Sequence, residues 1–192
     1  VDDSTAEKVL ETAVENGVTF FDTADCYGEG LSESRLGRFV KTLSKEVVIA
    51  TKMGRFPRPG WPDNFSLKQF RKHTEDSLKR LGIEALDLTQ VHCPPTDLLE
   101  RGEVFDWLRT LKQEGKIKQF GFSVESMEEA QICLREEGVA SLQIIFNILT
   151  LIVLLLPVTI IFSNALSDII VVCASFFFFY ISINFYRGKI NN

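Results

Sequence analysis

The sequence lacks most of the devices that give a protein's business away. No Cys-x-x-Cys pair occurs: Cys26, Cys93, Cys133 and Cys173 stand far apart, which gives neither a disulfide frame nor a metal cluster and points to a reducing compartment. No basic block occurs either, and 21 Lys+Arg stand against 26 Asp+Glu. That mild acidity excludes a nucleic-acid partner. No GxGxxG loop follows an early apolar run, so the usual mark of a doubly wound dinucleotide-binding sheet is missing. No secretory leader opens the chain, which begins at Val1 rather than at methionine. A processed product or a fragment, working in the cytoplasm, is the expectation.

Charge itself runs out towards the end. Between Ser141 and Asn192 only Asp168, Arg187 and Lys189 ionise, and the chain reads ILTLIVLLLPVTIIF, then SNALSD, then IIVVCASFFFFYISI. Each apolar run is near or below the roughly 20 residues that cross a bilayer, and Pro157 interrupts the first. Membrane association through residues 149–183, with Arg187 and Lys189 on the cytoplasmic side, is one account of this tail. The preferred account is a translated intron or a shifted reading frame, because the loss of charge is abrupt.

Before that seam a unit repeats. DDSTAEKVLETAVENG offers Ser4 with Glu7 three residues on as a capping box, apolar Val9, Leu10, Ala13 and Val14 on one helical face, and Gly17 as a stop. VTFFD then reads as a strand. SESRLGRFVKTL precedes VVIATK; SLKQFRKHTEDSLKRLG, boxed by Ser66 and Gln69 and stopped by Gly82, precedes ALDLTQVH; EVFDWLRTLKQEG precedes IKQFGFS; SMEEAQICLREEG, boxed by Ser126 and Glu129, precedes SLQIIFN. Five helices alternate with five strands. Near-continuous apolar strands joined by single helices pair in parallel, so the fold class is α/β.

The polar residues at the strand ends choose between an open sheet and a (β/α)8 barrel. Asp22 closes the first strand with Tyr27 just beyond, Lys52 closes the second, His92 the third and Ser123 the fourth. In a barrel these carboxyl ends converge on one face, where catalytic residues of that fold sit. Singly, each has a plainer role: an aspartate caps, a lysine is solvated, and His73 on its charged helix is expected at the surface. Lys52 fits the plain role worst, because it closes the buried run VVIAT and needs a partner there, which Asp22 supplies.

Together the four suit carbonyl reduction. An ammonium beside a phenol favours the phenolate, so Lys52 is expected to tune Tyr27 as the proton donor, with Asp22 holding the lysine and His92 orienting the carbonyl. Hydride must come from a bound cofactor, since no side chain supplies one. The loop MGRFPRPGWPDNFS, residues 53–66, offers Phe56 and Trp61 as apolar walls for a substrate; packed surface aromatics are the alternative.

FFDTADCYGEG with SESRLG, IATKMG, LDLTQVHCPP, GKIKQFGFSVES and SLQIIFN resemble consecutive signature segments of the aldo-keto reductases, from about Val1 to about Ile148. The resemblance implies an NADPH-dependent reductase of aldehydes or ketones on a (β/α)8 TIM barrel, with the catalytic tetrad on Asp22, Tyr27, Lys52 and His92. It also implies that Ser123 and Gln143, beside Asp22, hold the nicotinamide amide; Val124 stands where the family often has asparagine. In that frame the visible strands are two to six, residues 1–148 form a partial barrel, and residues 149–192 form a tail outside the family, which could alternatively substitute for missing barrel elements. A different class remains open at this point, a regulatory module similar to the potassium-channel beta subunits that share the barrel.

Overall fold

The computed structural model describes residues 1–144; the apolar tail, the seam at Ile148 and Cys173 lie outside the described residues. The first helix, α1 (Asp3–Glu15), is capped two residues ahead of the expected box: Asp2 accepts the Thr5 amide at 2.7 Å. A carboxylate there satisfies an orphan N–H and meets the positive end of the helix dipole, which a serine hydroxyl does less well. Those hydrogen bonds hold the Asp2 carboxyl below its ordinary range. The helix stops at Asn16, and Gly17 takes φ +87°.

Strand β1 (Phe20–Asp22), helix α2 (Leu31–Val40), strand β2 (Val48–Met53), helix α3 (Leu67–Leu81) and strand β3 (Leu86–His92) follow in the expected order. At α3 half of the expected box forms: Ser66 accepts the Gln69 amide at 3.3 Å, while the Gln69 carbonyl oxygen has no partner among the described residues. Gly82 ends α3 in the left-handed region, as anticipated. A short helix that the alternation does not predict, α4 (Thr96–Arg101), precedes α5 (Glu103–Gln113), β4 (Ile117–Val124), α6 (Met127–Arg135) and β5 (Val139–Ile144). TDLLER is too short for a helical period to show. The reciprocal box at Ser126 and Glu129 is complete.

All four strand pairings are parallel, in the order β1-β2-β3-β4-β5. Strand alternation sends Thr51 to Glu33 of α2 and Met53 to Thr74 of α3, which leaves Lys52 on the opposite face. Were the sheet flat, β1 and β5 would lie about 19 Å apart, four strand spacings. Instead the Gln143 amide on β5 reaches the Asp22 carboxylate on β1 at 3.4 Å. The sheet is curled into part of a barrel, in agreement with the expected fold class.

Gly121 shows how the inner wall closes. It pairs with Gln90 on one side and Ser141 on the other, and the Gln90 amide donates to the Ser141 hydroxyl at 3.1 Å across it. A Cβ at Gly121 would fall 2.2 Å from the Ser141 Oγ. Outside the sheet, Phe70 and Leu81 of α3, Phe105 and Leu108 of α5, Ala130 and Cys133 of α6 and Val91 and Phe122 of the strands form one buried cluster. This apolar layer fixes the strands, and the strands fix the polar side chains at their ends.

Candidate active site

Lys52 is the centre of the arrangement. Its ammonium donates to the Asp22 carboxylate at 2.6 Å and to the Thr23 carbonyl at 3.1 Å, and its side chain is only 2% exposed against 37% for Asp22. An ammonium is brought so far out of water only when its hydrogen-bonding capacity is met, and these two acceptors meet most of it.

Tyr27 stands in the turn between β1 and α2, 44% exposed. The Lys52 nitrogen lies 5.5 Å from its ring centroid, and the His92 ring lies edge-on to it at 6.3 Å. The turn is fixed to β2 by backbone bonds: Thr23 N–H donates to the Ala50 carbonyl and Asp25 N–H to the Lys52 carbonyl. Burial, then the charges of Lys52 and Arg55, push the His92 imidazole below its ordinary value of 6.5. His92 is therefore neutral at physiological pH and has one N–H to donate.

Register brings the other two strand ends into the same row, since His92 pairs with Ser123 and Ser123 with Gln143. The Ser123 hydroxyl meets the Cys93 sulfur at 3.9 Å, and Val124 beyond it is buried. Asp22, Tyr27, Lys52, His92, Ser123 and Gln143 thus share one end of the curled sheet.

The two loop aromatics part company. Trp61 is 54% exposed, with the Arg55 guanidinium 5.6 Å from its ring, and Arg55 in turn donates to the His92 and Cys93 carbonyls. Phe56 is packed edge-on against His73 and lies under the guanidinium groups of Arg58 and Arg80. The loop that carries both is tied down by the buried Asn64, whose amide donates to the Gly54 and Phe56 carbonyls.

His73 corrects the sequence reading. It is buried, not at the surface, and its Nδ1 lies 2.8 Å from the carboxylate of Asp25, also buried. The signal was available in one place only: FFDTADCYG carries a second aspartate, and a buried carboxylate needs a partner. Cys26 and Arg55 also touch the site without having been singled out, the former through a 3.8 Å approach to the His92 Nδ1.

A curled parallel β/α sheet that gathers an aspartate, a tyrosine, a buried lysine and a histidine at the carboxyl ends of its strands is of the parallel β/α barrel class, with its polar cluster at the face where such barrels place their active sites. The chain belongs to the Aldo/keto reductase family, whose family model matches residues 1–175, a match that runs past Ile148. It is similar to the D-threo-aldose 1-dehydrogenase of a Pseudomonas species, 35% identical over a 143-residue alignment that covers 62% of this chain and 44% of that protein. It is also similar to the L-galactose dehydrogenase of Arabidopsis thaliana, 35% identical over 127 residues, 64% of this chain and 38% of the other. Among solved structures, the holo form of an aldo-keto reductase from Bacillus halodurans superposes with a TM-score of 0.69 at 30% identity, over 76% of this chain and 49% of that one. An aldo-keto reductase from Klebsiella pneumoniae in complex with NADPH gives 0.64 at 26% identity, over 75% and 49%. The chain spans less than half the length of these curated relatives.

Proposed function

We propose that this chain carries the catalytic half of an NADPH-dependent reductase that converts small aldehydes or ketones to alcohols. The observation that carries the reading is the buried Lys52 ammonium, held by Asp22 and set beside the Tyr27 ring, with a neutral His92 edge-on to the same ring. No structural need explains a charged group at 2% exposure at a strand end next to a half-exposed phenol.

Asp22 holds the lysine in place, and Lys52 stabilises negative charge developing on the Tyr27 oxygen as its proton leaves. The His92 N–H donates to the substrate oxygen and fixes the carbonyl for attack. Tyr27 gives its proton to that oxygen and completes the alcohol. The Ser123 hydroxyl, whose sole partner among the described residues is a distant sulfur, and the Gln143 amide are the groups that suit a nicotinamide carboxamide. NADPH, when bound, supplies the hydride to the carbonyl carbon. The NADPH complex of the Klebsiella relative supports that choice of cofactor. Trp61 is the better placed of the two loop aromatics to wall the substrate, through Arg55; Phe56 is engaged with α3.

The test is Tyr27→Phe in the whole chain, followed by NADPH oxidation with a panel of small aldehydes and by NADPH fluorescence titration. Turnover is expected in the parent and should fall by about 10²–10⁴, the usual contribution of a positioned acid, with cofactor affinity unchanged. Equal turnover in the two proteins, or none in the parent, overturns the proposal.

A further inference from the structure

The turn that delivers Tyr27 also delivers Cys26, whose half-buried sulfur lies 3.8 Å from the His92 Nδ1. No other side chain among the described residues hydrogen-bonds that ring. The arrangement bears on chemistry because a neutral imidazole has one donor nitrogen and one acceptor nitrogen, and the partner of one decides the role of the other.

Both groups are kept neutral. Burial, then Lys52 and Arg55, disfavour the imidazolium. Burial, then the nearby Asp25 carboxylate, pushes the Cys26 thiol up, against the smaller pulls of a backbone hydrogen bond and of Lys52. A neutral thiol facing a neutral ring nitrogen can be arranged in two ways. In one the thiol donates to a bare Nδ1; in the other an Nδ1–H donates to sulfur. Imidazole nitrogen is a good acceptor and thiol sulfur a weak one, so the first arrangement is the stronger.

We propose that Cys26 is a positioning residue for the reduction described above: its thiol donates to Nδ1 of His92 and so fixes the ring as the Nε2–H tautomer, leaving Nε2–H as the donor to the substrate carbonyl. This rests on the reductase reading for its purpose but not for its test. The carbonyl of His92 is held separately by Arg55 at 3.2 Å, so backbone and ring are oriented by different partners. Metal-bound histidines are also oriented through the far nitrogen, although there the ring N–H donates to a carboxylate or carbonyl, whereas here the far nitrogen accepts.

The sequence contains two histidines, His73 and His92, so nitrogen NMR of the whole chain labelled at histidine gives two ring spin systems, and His92→Gln identifies one by its loss. In the parent, His92 is expected with a protonated Nε2 and a bare Nδ1. Cys26→Ser, whose hydroxyl is the better donor, should keep that tautomer and move the Nδ1 signal further towards a hydrogen-bonded nitrogen. Cys26→Val removes the donor at similar size and should give a mixture or the Nδ1–H form. An Nδ1–H ring in the parent, or an unchanged tautomer in a folded Cys26→Val protein, overturns the proposal. If Cys26→Val does not fold, Cys26→Ala replaces it; if neither folds, an Nδ1 signal that does not move in Cys26→Ser is the overturning result. In turnover, kcat should fall roughly tenfold in Cys26→Val with KM little changed, the weight of one transition-state hydrogen bond, and should return in Cys26→Ser. A chain that reduces no carbonyl at all would sink the reductase reading while the NMR result still decides the tautomer.

Discussion

Asp22 and Lys52 are unequal partners: one reaches water, the other does not. Removing the charge at Asp22 therefore strands an ammonium that cannot move out, with a carbonyl and a neutral amide for company. Breaking a fully buried pair from one side costs ~3–5 kcal/mol. With Asp22 partly solvated, Asp22→Asn is expected to cost about 2 kcal/mol in urea unfolding at neutral pH; a loss below about 0.5 kcal/mol would show that the pair is held for chemistry alone. His92 makes a second residue-scale prediction. Its folded ring takes up a proton at a lower pH than the ordinary 6.5, so below that value the unfolded chain binds a proton that the folded chain refuses. Stability is then level above about 6.5 and declines as pH falls towards the folded value. Ring shifts of His92 in a pH titration should place its midpoint below 6.5, and His92→Asn should flatten the acid side of the stability profile. Residues of this kind were readable in sequence where they closed an apolar run, as Asp22, Lys52 and His92 do. His73 was not, because its partner Asp25 lies 48 positions away and the helix around it is rich in charge. Periodicity marks a face; it does not mark which polar group on that face has a buried counterpart.

Elements meet here through glycines as much as through side chains. Gly37 lies in α2 against the end of α3, and a Cβ there would stand 2.4 Å from the Leu81 carbonyl oxygen and 2.6 Å from its Cα. Alanine is worth about 1 kcal/mol more than glycine inside a helix, whereas forcing two packed helices apart costs about 1–3 kcal/mol. The obstruction is backbone and cannot swing aside, so the packing cost should win and Gly37→Ala should destabilise by roughly 1–2 kcal/mol; an unchanged or raised melting temperature would show that α2 can slide. The order and type of the elements, α4 apart, were legible because short stretches rich in apolar residues alternated with helical periods. The ends were legible in part. Ser126 and Glu129 formed their box, Ser66 formed half of one, and at α1 an aspartate two residues earlier took the cap from Ser4. Such competition between neighbouring polar residues is settled by where the first turn packs, and α1 is anchored near its start by Arg35 and Arg38, which both pair with Asp3.

At the scale of the whole described sheet, the site draws on strands of very different security. β3 and β4 lie in the middle, laddered on both sides and covered by Phe70, Phe105, Leu108 and Phe122, with His92 and Ser123 at their ends. β1 is three residues long, pairs on one side only among the described residues, and has Phe20 about half exposed. Yet Asp22 and the turn carrying Tyr27 hang from it. Local opening free energy follows buried contact and ladder bonding, so amide hydrogen exchange should be slow across Leu88 to Val91 and Phe120 to Phe122 and faster by orders of magnitude across Phe20 to Tyr27. The site would then come apart at its acid before the core unfolds, and a cofactor that bridges Asp22, Ser123 and Gln143 should slow the first segment far more than the second. Equal protection of the two segments in the free chain would mean that β1 is held by more than its one visible ladder. Slowing confined to the second segment would mean that NADPH, if it binds, does not bridge the curl that Gln143 and Asp22 close.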